Sequence, residues 1–179
     1  MADVQPDVRV ERVGDVDVVT IDRPDVRNAL RFQSYDELER AVRATTARCL
    51  VITGADPAFC SGDDVREVMG GGNGPKPVAV QPRLTPAADA LLHTDVPIVA
   101  AVNGAAVGAG MNLALACDVR LAGESARFDT RFLQLGIHPG GGHTWMMRRI
   151  VGPQATAAMV LFGQILDGAE AERVGLVWK

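Results

Sequence analysis

The stretch PIVAAVNGAAVGAGMNLALACDVRLA, residues 97–122, decides the fold. Pro97–Val102 is apolar at every position, as expected of a strand covered on both faces. Asn103–Gly108 is a run of small residues that reads as a turn. Ala109–Ala116 reads as a helix, and Asp118–Ala122 as another strand. A strand, turn, helix and strand in such close succession predict an α/β chain with right-handed crossovers.

Working outward, the same alternation continues. Val8–Val13 and Val16–Ile21 are rich in β-branched residues and flank Gly14-Asp15, which predicts a hairpin. Arg23-Pro24-Asp25 is a turn. Ser34–Ala44 carries Leu38, Ala41 and Val42 among charges, an amphipathic helix pattern, and Cys49–Thr53 (CLVIT) is a short buried strand. Gly54–Asp64 reads as a loop. The segment Met69–Arg83, with its GGGNGPKP run, reads as a loop serving either as a plain insertion or as a substrate lid. Leu84–His93 is helical, and Phe128–Gly142 is mostly loop with one helical turn. His143–Ile150, Gln154–Phe162 and Gly168–Arg173 are helices. There is no internal repeat or linker, so residues 1–179 are expected to form one domain.

Composition narrows the function classes. With 47% hydrophobic and 22% charged residues the chain resembles an average soluble protein, and 4% aromatic residues imply an aliphatic, alanine-rich core. A net charge of −4 gives no basic footprint for nucleic acid, and Arg148-Arg149 reads as a solvated helix face. No apolar run approaches the roughly 18 residues that cross a bilayer. Met1–Arg12 has no apolar signal core. Cys49, Cys60 and Cys117 lack metal-ligand spacing, so no metal is expected, and reduced thiols suit a cytoplasmic protein. Cys60 stands beside a glycine turn, but no His or second Cys lies near it in sequence to activate it.

Two segments can do chemistry through their backbone. One is Ala58-Phe59-Cys60-Ser61-Gly62-Asp63-Asp64. The other is Asn103-Gly104-Ala105-Ala106-Val107-Gly108-Ala109-Gly110. Each follows a strand and precedes a helix. Small residues let a chain turn sharply and let a ligand approach the amides. A helix starting near Ala109 leaves free N–H groups at its positive end. Two such turns can aim two N–H groups at one oxygen, which is the requirement for stabilising a thioester enolate. A dinucleotide loop fails on detail. No third glycine follows Gly108-Ala109-Gly110, and Asp118 comes too soon for a ribose contact. On spacing alone, two purely structural turns remain the competing reading.

Four stretches taken in order, DRPDVRNAL (22–30), AFCSGDDVREV (58–68), the 97–122 segment and LGIHPGGG (135–142), resemble consecutive motifs of the enoyl-CoA hydratase/isomerase (crotonase) superfamily. GAEAERVGLV (168–177) is similar to that family's approach to its last strand. The resemblance covers nearly the whole chain. It implies a spiral of ββα repeats and an acyl-coenzyme A ligand, with coenzyme A as part of the substrate rather than a separate cofactor. It puts the oxyanion amides on Asp63 and Ala109, and the adenine and pantetheine contacts near Val26, Arg27, Ala29, Ser61, Asp64 and Val65. Asp63 stands where the family has a small residue, so its carboxylate would crowd a developing oxyanion unless it turned away.

The same carry-over exposes a departure. A hydratase of this family uses two glutamates to hold and activate water, and their positions here are Asn112 and Phe132. Neither side chain exchanges a proton at neutral pH, whereas hydration needs an acceptor and a donor within hydrogen-bond reach. Candidate substitutes are His138, His143 and Asp129, with His138, just before Pro139, preferred. Two functions follow: an acyl-CoA enzyme of non-standard chemistry, or an acyl-CoA-binding protein without catalysis in which Phe132 fills the space of a glutamate. The resemblance also implies that further C-terminal helices are missing from this chain, and that it associates as a trimer or a dimer of trimers.

Overall fold

The computed structural model describes residues 5–68 and 86–179. The glycine-rich segment expected to form a loop over 69–83, and the first residues of the helix expected from Leu84, lie outside the described residues.

The N-terminal hairpin is β1 (Val8–Val13) paired antiparallel with β2 (Val16–Ile21), turning through Gly14 at φ 59°. A 3-10 turn, Pro24–Val26, leads to α1 (Phe32–Ala44), which buries Ser34, Leu38 and Val42. Then follow β3 (Cys49–Gly54), β4 (Ala58–Cys60), α2 (Val65–Val68) and α3 (Pro86–Leu92). The next unit is β5 (Ile98–Val102), β6 (Ala105–Val107) and α4 (Ala109–Leu115). Last come β7 (Val119–Ala122), β8 (Arg127–Asp129), α5 (Phe132–Leu135), α6 (His143–Phe162), β9 (Leu166–Asp167) and α7 (Gly168–Arg173).

The strands fall into two sheets, ordered β1-β2-β3-β5-β7 and β4-β6-β8-β9. Each repeat gives its first strand to one sheet and its second to the other, then adds helix: β3, β4, then α2 and α3; β5, β6, then α4; β7, β8, then α5 and α6. This is the expected spiral of ββα units. Within a sheet the successive repeats pair in parallel, Leu50 opposite Ile98 and Val99 opposite Val119 in one, Ala58 opposite Ala105 and Val107 opposite Asp129 in the other. The core between them is aliphatic, with Ile21, Leu50, Ile52, Ile98, Met111 and Leu113 fully buried.

Three expectations need correcting. The loops predicted over 54–64 and 128–142 and the turn predicted over 103–108 each hold a short strand or part of one, β4, β8 and β6, which form the second sheet together with β9. Three residues are too few for a period-2 pattern to show, and alanine carries little strand signal. The two helices expected over His143–Ile150 and Gln154–Phe162 are both present, joined within α6 by a kink at Gly152, whose φ of 76° and ψ of 178° precede Pro153. Proline there cannot donate the helical bond, and it pushes its predecessor out of the helical region.

Candidate functional site

The site grows from the turns that follow two neighbouring strands of the second sheet. Parallel pairing of β4 with β6 sets the chain after Cys60 beside the chain after Val107. Gly62 has φ 98°, and a Cβ on it would lie 3.0 Å from the Val107 carbonyl oxygen and 3.6 Å from the Ala109 nitrogen. Gly108 has φ 52°, and its N–H donates to the Asp129 carbonyl at 3.0 Å. A Cβ on Gly110 would strike the Cys60 oxygen at 2.3 Å and its sulfur at 2.7 Å. The first turn of α4 therefore reaches β4 only because residue 110 is glycine. Around Asp63 the chain bonds on either side: Leu30 N–H donates to Gly62 O at 2.8 Å, and Asp64 N–H to Leu30 O at 2.7 Å. Among the described residues, neither the Asp63 nor the Ala109 amide donates an intramolecular hydrogen bond.

The Asp63 carboxylate is held by α1. Its Oδ1 accepts from the Tyr35 hydroxyl at 2.5 Å. Although Asp63 as a residue is exposed, surrounding protein raises its pKa by desolvation, and the Tyr35 bond pulls it partly back. Burial beside that carboxylate keeps the Tyr35 hydroxyl protonated, with its pKa well above 10.

The residues expected to meet coenzyme A converge. Asn28, fully buried at φ 58°, accepts from Arg23 N–H and donates to the carbonyls of Ala55 and Ala58, both at 2.7 Å, which pins the 22–30 turn onto β4. Ser61 N–H donates to Arg27 O at 3.0 Å, and Ser61 Oγ to Val26 O at 3.2 Å. Arg23 bridges the two segments, bonding the Ala29 carbonyl and, at 3.2 Å, Asp64 Oδ2. Val65, 57% exposed, opens α2 directly after Asp64. Val26, Arg27, Ala29, Ser61, Asp64 and Val65 thus lie together beside the two turns, with Ala29 and Asp64 buried.

Asn112 and Phe132 come together through His143. Asn112 Nδ2 donates to the Gly140 carbonyl at 3.1 Å, and Asn112 Oδ1 lies 2.7 Å from His143 Nδ1. A carbonyl can only accept, so the amide nitrogen must face Gly140 and the amide oxygen must face the imidazole. His143 Nδ1 therefore carries a proton, and in the neutral ring Nε2 is bare. The Phe132 ring meets the imidazole edge-on, with centroids 5.0 Å apart and planes at 70°. His143 is fully buried, and Nε2 has no hydrogen-bond partner. Burial lowers its pKa to about 4.

The other substitutes fare differently. His138, the preferred one, is exposed on the Gly136–Pro139 segment and takes no part in this cluster. Asp129 is buried but committed elsewhere. Its Oδ1 accepts from Arg131 N–H at 2.8 Å, and Arg131 Nη2 lies 2.6 Å from Oδ2, off the hydrogen-bonding direction. It acts as the turn-forming residue ahead of α5. The Cys60 thiol is buried and its pKa pushed up to about 12 by desolvation, which keeps it out of nucleophilic chemistry. Among the described residues no cluster of His, Cys, Asp and Glu could hold a metal, and no helix is long and apolar enough to cross a membrane. Sequence reading missed Tyr35, Arg23 and the Gly140 carbonyl, because each acts across at least 28 residues of chain on a partner that only folding brings near.

Comparison with known proteins now decides the family. The enoyl-CoA hydratase/isomerase family model matches residues 11–179. This chain belongs to the enoyl-CoA hydratase/isomerase family. Over 168 residues it is 46% identical to a protein named probable enoyl-CoA hydratase EchA14 of Mycobacterium tuberculosis, covering 90% of this chain and 64% of that one. The crystal structure of an enoyl-CoA hydratase from Bacillus anthracis superposes with a TM-score of 0.85 at 27% identity, over 96% of this chain and 69% of that one. A Thermobifida fusca structure in complex with acetoacetyl-CoA matches with a TM-score of 0.84 at 28% identity, over 96% and 72%. The chain thus spans about two thirds of the length of these family members.

Proposed function

We propose that this chain binds an acyl-CoA thioester and stabilises its enolate between the Asp63 and Ala109 amides, and that it is a divergent family member lacking both hydratase glutamates. The observation that carries this reading is the close approach of two strand-ending turns at Gly62 and Ala109, with both neighbouring amides unpaired. Preorganised N–H donors near a developing oxyanion cost nothing to reorient during reaction. The group formed by Val26, Arg27, Ala29, Ser61, Asp64 and Val65 lies where the nucleotide and pantetheine of the ligand would run. Turning Asp63 toward Tyr35 removes the one charge that would oppose an enolate there. The ligand class matches the acetoacetyl-CoA held by the Thermobifida fusca relative.

Reaction type follows from what faces the acyl carbons. Asn112 and Phe132 offer no carboxylate, so proton shifts along the acyl chain fit this site better than addition of water. A second reading, acyl-CoA binding without catalysis, draws on one observation: both ends of the Asn112 amide are engaged, and Phe132 packs where an acid would stand. We also propose self-association in the cytoplasm, since Leu133, Leu135, Ile137, Leu161 and Phe162 leave apolar surface exposed on α5, α6 and the adjoining loop.

The test is Ala109→Pro. Proline is tolerated in the first turn of a helix but has no N–H. Turnover of whichever acyl-CoA reacts in a mass-spectrometric panel should fall by about 10²–10³, the usual loss for one oxyanion donor. Full activity in a folded variant would remove the amide pair from the mechanism.

A further inference from the structure

Among the described residues, His143 is the buried titratable side chain that touches both Asn112 and Phe132. The family mechanism does not assign it a role, and its geometry is specific. Asn112 lies three residues after Ala109 on α4, on the same side of that helix as the amide pair. Asn112 fixes the imidazole by its Nδ1 proton, which leaves the Nε2 lone pair as a buried acceptor without a partner. Such an atom costs free energy in the folded chain, and orphaned acceptors of this kind concentrate at reacting sites. Phe132 packs edge-on against the same ring.

We infer that His143 is the acid/base residue of this site, its Nε2 moving a proton between carbons of an unsaturated acyl thioester. The inference rests on the proposal that the thioester sits at the Asp63 and Ala109 amides. Nε2 takes a proton from the carbon next to the thioester carbonyl. The C–H electron pair moves onto the thioester oxygen, where the two amides hold the enolate. The enolate then collapses, its electrons shift along the chain, and the same proton passes from Nε2 to the γ carbon. A β,γ-double bond becomes an α,β-double bond, with no water or other reactant consumed.

The surroundings suit a base that works in this way. With a pKa of about 4 the imidazole stays neutral at working pH and is about as basic as the glutamate it replaces, whose ordinary pKa is about 4.3. Nε2 is closed to solvent, so the proton it carries is returned rather than lost. Gly141 and Gly142, at φ 61° and 76°, lead into His143, and a Cβ on Gly141 would lie 2.7 Å from Asn112 Nδ2, so this turn packs directly on the amide that orients the ring.

The experiment uses but-3-enoyl-CoA. Binding is measured by calorimetry, and conversion to crotonyl-CoA by the absorbance of the conjugated thioester. The wild-type chain should bind and convert it. His143→Gln retains an N–H for Asn112 but has no basic lone pair, so it should bind as well while converting at least about 10²-fold more slowly, the lower bound for loss of a general base. Conversion undiminished in that variant, or binding by the wild type without conversion, overturns the role of His143 and leaves the ligand-binding reading intact. Failure of the wild type to bind removes the ligand-binding reading, and this inference with it. Should His143→Gln not fold, nitrogen NMR of the wild-type ring decides: a bare Nε2 with protonated Nδ1 at neutral pH is expected, and the opposite tautomer overturns the assignment.

Discussion

The two halves of the site are built from different material. The amide half is backbone, held by steric conditions that nothing but glycine meets at Gly62, Gly108 and Gly110. The acid/base half is side chain: Asn112, Phe132 and His143, joined by one hydrogen bond and one ring contact. A side chain on Gly110 would collide with Cys60, so the first half cannot change without dislodging α4. The second half can be rewritten residue by residue, because helix positions 112 and 132 accept any side chain that packs. On the proposed function, the difference teaches that the backbone pair is harder to change than the side chains that face it. The reaction is set by what stands opposite the amides.

The sharpest way to break that division is hydration. Crotonyl-CoA hydration should be very slow or absent, because each acid/base group is worth about 10²–10⁴ in rate and both glutamate positions lack one. A stopped assay with crotonyl-CoA checks it. A kcat/KM above about 10⁶ M⁻¹s⁻¹, the range of an efficient enzyme, would mean that Asn112 and Phe132 have been misassigned.

That same division governs what could be read from the chain. The strands of the large sheet, the helix of the 97–122 segment and the two turns were legible, since glycine spacing and apolar runs are local signals. The second sheet was not, because β4, β6 and β8 are only three residues each and exist by virtue of pairing with their neighbours. Asn112 and Phe132 could be named from motif position. Their joint contact with His143 could not, since it depends on the Gly140–Gly142 turn bringing α6 back over α4. The choice between His138 and His143 therefore had to wait for burial: one is exposed and the other fully enclosed.

A second, smaller effect tests the enclosure itself. An ordinary histidine has a pKa of about 6.5, and burial lowers that of His143 to about 4. Between those values the unfolded chain binds a proton at this residue that the folded chain does not. Stability then rises with pH across the window from about 4 to 6.5 and is constant above it. The depressed value corresponds to about 3 kcal/mol lost on acidification, at 1.36 kcal/mol per pH unit. Urea unfolding from pH 4.5 to 7.5 should show this slope in the wild type and a flatter profile in His143→Gln. Equal slopes would mean that the imidazole is solvated.

The smallest effect lies at the junction of the two halves, where Asp63 supplies backbone to one and a carboxylate that must be kept out of the other. Tyr35 holds that carboxylate at 2.5 Å, so Tyr35→Phe should release it without disturbing the half-buried ring. One hydrogen bond of this kind is worth about 0.5–1.5 kcal/mol, which corresponds to roughly a two- to tenfold drop in turnover. Two causes could produce such a drop, loss of packing around α1 or a negative charge swinging toward the enolate, and a double-mutant cycle separates them. If charge is responsible, Asp63→Asn in the Tyr35→Phe background restores the rate, because the neutral amide no longer repels the oxyanion. If packing is responsible, the second substitution changes nothing. A rate restored by Asp63→Asn would show that the carboxylate is held in check by Tyr35, and that the backbone half of the site depends on one side chain after all.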